Sequence, residues 1–234
     1  MKKIVLIFVI LLFFVCAYFG FNAAAKILPG SDNSQTNTQT DIAIPSSQRN
    51  YLLIHVTDNT VEEPELVSVW VAFVYYSTPP QLMFMPLYPS YDPKIQTNLS
   101  QSFQFTTDKN ISTKFIKQIE QAYNIKTSGY VLSDNLGVSY SNLWLTGQET
   151  QVSTGVAMTD EEKHIIRVNG QTAYQQLCLL FLSGASNSYF SSINWSLLLP
   201  DHFSTNLPFE TIALTTDQII RATSITQCDV LSSE

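Results

Sequence analysis

Basic residues are scarce in this chain of 234 residues, which has 12 Lys and Arg against 19 Asp and Glu. All of the acidic residues lie after position 30 but only nine of the basic ones do, so this part carries a net charge of about −10. A protein that binds nucleic acid needs clustered Lys and Arg to neutralise phosphates, and the sequence has no such cluster. The composition therefore excludes nucleic acid as a partner and disfavours an anionic membrane surface.

The sequence also lacks the residue patterns of the common catalytic and cofactor sites. Its three histidines, His55, His164 and His202, stand in unrelated contexts without the spacing of metal ligands. There is no G-x-S-x-G nucleophile elbow, no Walker phosphate loop and no dinucleotide fingerprint. From these residues we expect neither a resident metal nor a cofactor.

Cysteine is rare as well, with three residues in the whole chain. Cys16 lies within an apolar run, whereas Cys178 and Cys228 lie in the globular part. A disulfide between the last two would close a long loop and stabilise the fold by about 3–4 kcal/mol in the chain-entropy model. Two buried free thiols are the other interpretation, and the sequence leaves both open.

The strongest positive feature is an uncharged apolar run of 18 residues from Ile4 to Phe21, preceded by Lys2 and Lys3. At about 1.5 Å per residue it spans roughly 27 Å as a helix, close to the thickness of a hydrocarbon core. We predict a cytoplasmic tip at 1–3 and a transmembrane anchor or signal segment at 4–25. Because the flanking lysines favour a cytoplasmic N-terminus, the remainder is expected outside the cell membrane, or secreted if the chain is cleaved after Ala25.

The residues that follow divide into a spacer and a domain. Residues 26–50 are rich in Ser, Thr, Asn and Gln, which predicts a flexible linker. Residues 51–234 are dense in apolar and aromatic side chains, enough for one exported domain with its own core.

Apolar runs and breakers within the domain predict interleaved strands and helices. We expect strands at 51–56, 66–76, 81–86 and 128–132, with the second and third joined as a hairpin through Pro79 and Pro80. Helices are predicted at 113–123, 171–182 and 189–199, with turns at 134–137 and at Asn169-Gly170. The fold class is α/β, or α+β, with a mixed sheet and packed helices. The side chains expected in the core of the two best-defined helices are Phe115, Ile119, Leu177 and Phe181.

The order of these motifs resembles the LytR–CpsA–Psr family, whose members are exported ligases that transfer glycopolymers from a polyprenyl-pyrophosphate carrier to the cell wall. The segment YLLIHVTD looks like the family's first strand, LVSVWVAFVYY its long strand, and LMFMPLYPS the segment that carries its P-R-D motif. Lys94-Ile95-Gln96 looks like its K-I-N, and the stretches at 124–147 and 167–173 resemble its Y-V-x-V-D-x-x-G and N-G-x-x-A segments. The resemblance covers residues 50–200 and implies an α/β domain behind one membrane helix.

The resemblance also implies that the family's pocket has degenerated in this chain. Leu87 and Tyr88 stand where the family has arginine and aspartate, and Cys178 and Leu180 align with its second arginine pair. Asp58 matches the family's first aspartate with a shift of one position, and Arg167 is the remaining candidate for a phosphate contact. Without the guanidinium groups, a pyrophosphate would lack charged partners at a cost of several kcal/mol.

Three functions remain open from the sequence. The first is a catalytically inactive binding or scaffolding domain in cell-envelope glycopolymer biogenesis, whose partner is a polyprenyl-linked glycan or another envelope protein. The second is a weakly active glycopolymer phosphotransferase that uses Asp58, Arg167 and Mg²⁺. The third is a structural envelope protein without a ligand. If the first holds, the positions Leu87, Tyr88, Cys178 and Leu180 are expected to converge on one cavity.

Overall fold

A computed structural model describes residues 47–147, 159–184, 201–220 and 227–232. The chain divides into two units, Met1–Asp41 and Ile42–Glu234, and all of the described residues belong to the second. No helix among them is both long and apolar enough to cross a membrane. The predicted anchor, the linker up to residue 46 and the predicted helix at 189–199 lie outside the described residues.

A six-stranded mixed sheet forms the centre of the domain, in the order β5-β4-β1-β2-β3-β6. The first three strands are antiparallel neighbours, and β4 and β6 add to them in parallel, while β5 pairs antiparallel with β4. The strands are β1 (Gln48–Val56), β2 (Leu66–Tyr75), β3 (Gln81–Tyr88), β4 (Gly129–Ser133), β5 (Phe203–Thr205) and β6 (Gln227–Val230). This arrangement confirms the predicted mixed sheet and the hairpin of β2 and β3.

Five described helices accompany the sheet: α1 (Pro93–Ser102), α2 (Thr113–Tyr123), α3 (Asn135–Thr146), α4 (Asp160–Leu182) and α5 (Phe209–Ile220). Four of them begin at a side chain that caps free backbone N–H groups. The caps are Asp92 for α1, Ser112 for α2, Asp134 for α3, and Thr159 for α4. Thr159 forms a reciprocal capping box with Glu162, so the acidic run at 160–162 is the first turn of a helix.

Two cores lie on opposite sides of the sheet, because successive side chains of a strand point to opposite faces. The first face carries Leu52, Ile54 and Val71, and it packs against Phe115 and Ile119 of α2, both fully buried. The second face carries Tyr51, Trp70 and Phe84, and it packs against Cys178 and Phe181 of α4. The other member of the predicted helix core, Leu177, is half-buried beside the second core.

Two of the predicted turns are wrong, for a common reason. Residues 134–137 are the cap and first turn of α3, because the carboxylate of Asp134 accepts a bond from the Gly137 N–H at 2.9 Å. Asn169-Gly170 lies inside α4, which begins at Asp160 rather than at 171. A Cβ on Gly170 would come within 2.9 Å of the Trp70 ring, so the glycine permits close helix–sheet contact. In this fold, residues that usually form turns instead cap a helix, as Asp134 does, or permit close packing, as Gly170 does.

Candidate functional site

The second face of the sheet is only partly filled, and the unfilled space is the candidate site. One hollow of about 250 Å³ and another of about 400 Å³ adjoin each other, since Leu53, Val131 and Phe203 line both. We call the smaller hollow the polar end and the larger the apolar end, for the side chains that line them. Because they adjoin, we treat the two hollows as the two ends of one elongated cavity between the sheet and α3, α4 and α5.

The polarity of the cavity changes along the strands that form its floor. On β2 the alternate positions that line it run from Ser68 and Trp70 at the polar end to Ala72 and Val74 at the apolar end. On β1 the same progression runs from His55 back to Tyr51, four residues or roughly 13 Å along a strand. The second face of the sheet is therefore apolar near one end of these strands and polar near the other end.

The walls of the cavity come from helices. A helix approaches the sheet closely only where its side chains are small enough. Gly170 of α4 brings the helix backbone against Trp70, and the Tyr174 ring then lies between Trp70 at 4.8 Å and Phe84 at 4.7 Å. At the apolar end, α5 contributes Ile212, Thr215 and Ile219.

A hydroxyl cluster holds α5 against the strands. Thr215 Oγ1 lies 2.9 Å from the Tyr76 hydroxyl and 3.2 Å from the Tyr51 hydroxyl, and the two phenols are 3.1 Å apart. Burial raises the pKa of Tyr76 to about 12, so this hydroxyl is uncharged at neutral pH. The cluster closes the outer side of the apolar end.

Two histidines contact consecutive residues at the N-terminus of α3, and one of them, His55, lines the polar end. His55 Nε2 lies 2.9 Å from Asn135 Oδ1, and His202 Nδ1 lies 2.8 Å from the buried carboxylate Oδ2 of Asp134. Burial lowers the pKa of His55 to about 4, although Asn135 and Asp134 both act in the opposite direction. His55 is therefore neutral near pH 7, and the expectation that the histidines stand in unrelated contexts is wrong for two of the three.

No Asp, Glu, Lys or Arg lines the cavity among the residues that the structure describes. The uncharged polar side chains at the polar end include Ser68, Ser133, Ser141, Asn142 and Asn169, beside the neutral His55. The cavity can thus solvate an apolar chain and hydrogen-bond a polar group, but it offers no countercharge.

The positions predicted to converge on a pocket do not do so. Leu87 and Tyr88 pack in the core of the first face, whereas Cys178 packs in the core of the second. Leu180 is half-buried on α4, and none of the four lines the cavity. The reason is that β3 continues to Tyr88 and directs its end toward α1 and α2, away from the cavity. Of the two interpretations left open for the cysteines, the structure has the Cys178–Cys228 disulfide.

The remaining predicted residues also lie outside the cavity. Asp58 is exposed, and its Oδ1 accepts bonds from the Thr60 N–H at 2.8 Å and the Thr60 hydroxyl at 2.6 Å, which lower its pKa. Arg167 is buried, with its guanidinium 3.8 Å from the centre of the Tyr91 ring. Within the described ranges no three His, Cys, Asp or Glu side chains group as metal ligands would, so these residues do not fit a magnesium site.

A signal for the cavity is present in the sequence of β2 but is easily missed. Its first-face positions Val69 and Val71 are β-branched, whereas two of its second-face positions, Ser68 and Ala72, are small and alternate with the larger Trp70 and Val74. Small residues on one side of an otherwise bulky strand leave space that another element or a ligand must fill. The continuous apolar run conceals this alternation.

Comparison with known proteins gives a fold relationship and no match in sequence. No family model matches the chain, and no curated protein does. A candidate transcription regulator from Eubacterium siraeum DSM 15702 has a TM-score of 0.51 at 12% identity, over 87% of this chain and 91% of that one. At this identity the likeness shows a shared fold alone.

Other solved structures with lower TM-scores include two enzymes of the LytR–CpsA–Psr family. TagT bound to LIIa-WTA has a TM-score of 0.48 at 11% identity and covers 85% of this chain and 84% of its own. TagV from B. subtilis has a TM-score of 0.44 at 11% identity, with 81% and 87% covered. The likeness to the Eubacterium siraeum protein, at a TM-score of 0.51, agrees with the predicted α/β fold and does not address activity.

Proposed function

We propose that this chain is a membrane-anchored extracytoplasmic domain that has no catalytic activity and holds the apolar chain of a polyprenyl lipid. Its role would be binding or scaffolding in cell-envelope glycopolymer biogenesis. The observation that carries the proposal is the apolar cavity on the second face of the sheet, about 400 Å³ at its apolar end alone.

The chemistry of the cavity supports an apolar ligand. Its apolar end is lined by Leu82, Phe84, Phe181 and similar side chains. Of the hydroxyls there, those of Tyr51 and Thr215 bond each other and that of Thr205 donates to the Tyr130 carbonyl. Transfer of apolar surface from water contributes about 25 cal/mol per Å², so a hydrocarbon chain enclosed there would gain several kcal/mol. Ligand sites of this type are concave, mostly apolar and largely preformed.

The expected location supports the identity of that chain. If residues 4–25 anchor the protein and the domain lies outside, the apolar ligands within reach are those of the membrane. The family resemblance implies polyprenyl carriers among them. A polyprenyl-linked glycan, or a second envelope protein, is then the partner that the domain would hold at the membrane.

The absence of activity is proposed from the charges. A pyrophosphate in transfer needs guanidinium or metal partners where its charge develops, and the described lining supplies neither. The one candidate cation, Arg167, is directed at Tyr91 outside the cavity.

A cavity-filling substitution tests the proposal. The full chain in lipid nanodiscs is titrated with a fluorescent prenyl lipid, and saturable binding is expected. Ala72→Phe places a ring in the apolar end and should weaken binding at least about tenfold, or 1.4 kcal/mol. The matched control is Ile116→Phe, which adds a ring beside the core of the first face and should leave binding unchanged.

Two results would overturn the proposal. Equal binding by wild type and Ala72→Phe, or no saturable binding, would show that the cavity does not bind the lipid. Turnover of a polyprenyl-pyrophosphate glycan in the presence of Mg²⁺, lost in Asp58→Ala, would instead favour the phosphotransferase.

A further inference from the structure

We propose that the polar end of the cavity selects a lipid head group that carries hydroxyl groups and no charge, so that the ligand is a neutral prenyl lipid rather than a prenyl phosphate. This inference rests on the proposed binding of a prenyl chain at the apolar end. It assigns a ligand class to the half of the cavity that an apolar chain alone would leave unexplained.

The first argument is the match of hydrogen-bonding groups. The polar end is lined by three serine hydroxyls and two carboxamides, from Ser68, Ser133, Ser141, Asn142 and Asn169. Hydroxyls and carboxamides each both donate and accept. An alcohol or a sugar also both donates and accepts and can use both capacities of this lining, whereas an ionised phosphate only accepts.

The second argument is the cost of a charge at this place. A buried anion without a countercharge is penalised by several kcal/mol, and no Lys or Arg among the described residues lines the cavity. His55 does not compensate, because burial lowers its pKa to about 4 and leaves it neutral. The carboxylate of Asp134, 3% exposed beside the polar end, would add repulsion.

The third argument concerns the N-terminus of α3, the one feature nearby that would attract a phosphate. Free N–H groups at a helix start bind anions. Here the carboxylate of Asp134 caps the helix through the Gly137 N–H and is held in turn by His202, so the protein supplies its own anion. A phosphate would have to displace a buried, hydrogen-bonded side chain.

The size of the polar end sets a limit on the head group. Its volume of about 250 Å³ suits a hydroxyl group or one sugar ring together with the water molecules that hydrate it. A free prenyl alcohol and a prenyl lipid with one neutral sugar share this chemistry, and the experiment separates them.

The experiment compares head groups on one chain length. Full-length protein in nanodiscs is titrated with a C20 prenyl alcohol, its neutral monoglucoside, its monophosphate and its pyrophosphate. The alcohol or the glucoside should bind at least about tenfold more tightly than either phosphate, and the better of the two identifies the source. Phosphates that bind as tightly as the neutral lipids would overturn this inference while leaving the proposed function intact. If none of the four binds, the proposed function fails first.

A charge-gain variant adds an independent test. Asn169→Arg places a cation at the polar end and should raise affinity for the pyrophosphate at least about tenfold relative to the alcohol. Gln175→Arg adds the same charge on the exposed side of α4 and should change neither affinity. An unchanged preference in folded Asn169→Arg would place the head group elsewhere and overturn the inference. Should that variant fail to fold, the ranking of the four lipids by wild type decides alone.

Discussion

The two faces of one sheet differ in how they are covered. The first face packs against α1 and α2 in a continuous core in which Leu87, Leu99 and Phe115 are fully buried. The second face packs against α4 near Trp70 and Phe84 but leaves an elongated cavity beside them. A filled face adds stability and an unfilled one costs stability unless a ligand occupies it. The comparison teaches that the first face is closed by its core, whereas the second face has a core of its own and also leaves open the cavity that we propose as a binding site.

The largest expected effect tests that difference in packing. Phe115→Ala on the first face should lower the free energy of unfolding by about 4–5 kcal/mol, because the ring is fully enclosed. Phe84→Ala on the second face should cost less, about 3 kcal/mol, because that ring already borders the cavity. Denaturant unfolding followed by tryptophan fluorescence measures both. Equal losses would contradict the contrast between the faces.

The next effect concerns the covalent bond that only the second face has among the described residues. The Cys178–Cys228 disulfide links α4 to β6 across 50 positions of the chain. In the chain-entropy model such a link stabilises the fold by about 4 kcal/mol, so reduction of wild type should lower its stability by about that amount. The double variant Cys178→Ala/Cys228→Ala is the control and should not respond to the reductant. A wild-type unfolding curve that is identical with and without reductant would show that the disulfide does not stabilise the fold.

These elements also show how much of the fold the sequence patterns can predict. The strands β1 to β3 and helix α2 follow from apolar periodicity and from Ser112 as a cap, since a buried element determines its own pattern. Helix α1 was missed because its pattern is polar: only Leu99 and Ser102 are buried along it. Elements α5, β5 and β6 were also not predicted, because they are short or are held by tertiary contacts such as Thr215 with Tyr76.

The candidate site was less predictable than the fold. Alignment by motif placed Leu87 and Cys178 in one pocket, but which face a strand residue occupies depends on register, and a single step reverses it. His55 and His202 are 147 positions apart. They contact the consecutive residues Asn135 and Asp134 because β4, which ends just before Asp134, lies between β1 and β5. Nothing local in the sequence encodes such a meeting.

A smaller effect is a dependence of stability on pH that arises from His55 on the second face. Folded His55 takes up a proton at about pH 4, whereas an unfolded histidine does so near pH 6.5. The unfolded chain thus binds more protons between these values, so stability is full above about pH 6.5 and falls as the pH is lowered toward 4, by about 3 kcal/mol in total. The free energy of unfolding as a function of pH should show this slope in wild type and lose it in His55→Gln. His164→Gln, at an exposed position of α4, is the matched control and should keep it. A slope that persists in His55→Gln would assign it to other groups.

The smallest expected effect concerns the contact that joins the two sides around the edge of the sheet. Tyr91 precedes α1 of the first face, and its ring lies under the guanidinium of Arg167, which belongs to α4 of the second. Arg167 is 7% exposed and Tyr91 is 61% exposed, so the pair is partly desolvated and a cation–π contact of about 1 kcal/mol is expected. Tyr91→Leu should lower the free energy of unfolding by that amount, and Tyr91→Phe, which keeps the ring, should not. Because the contact lies outside the cavity, neither variant should change prenyl lipid affinity. A loss of affinity in Tyr91→Leu alone would mean that the well-packed face controls the binding face through Arg167, and the division of roles between the two would no longer hold.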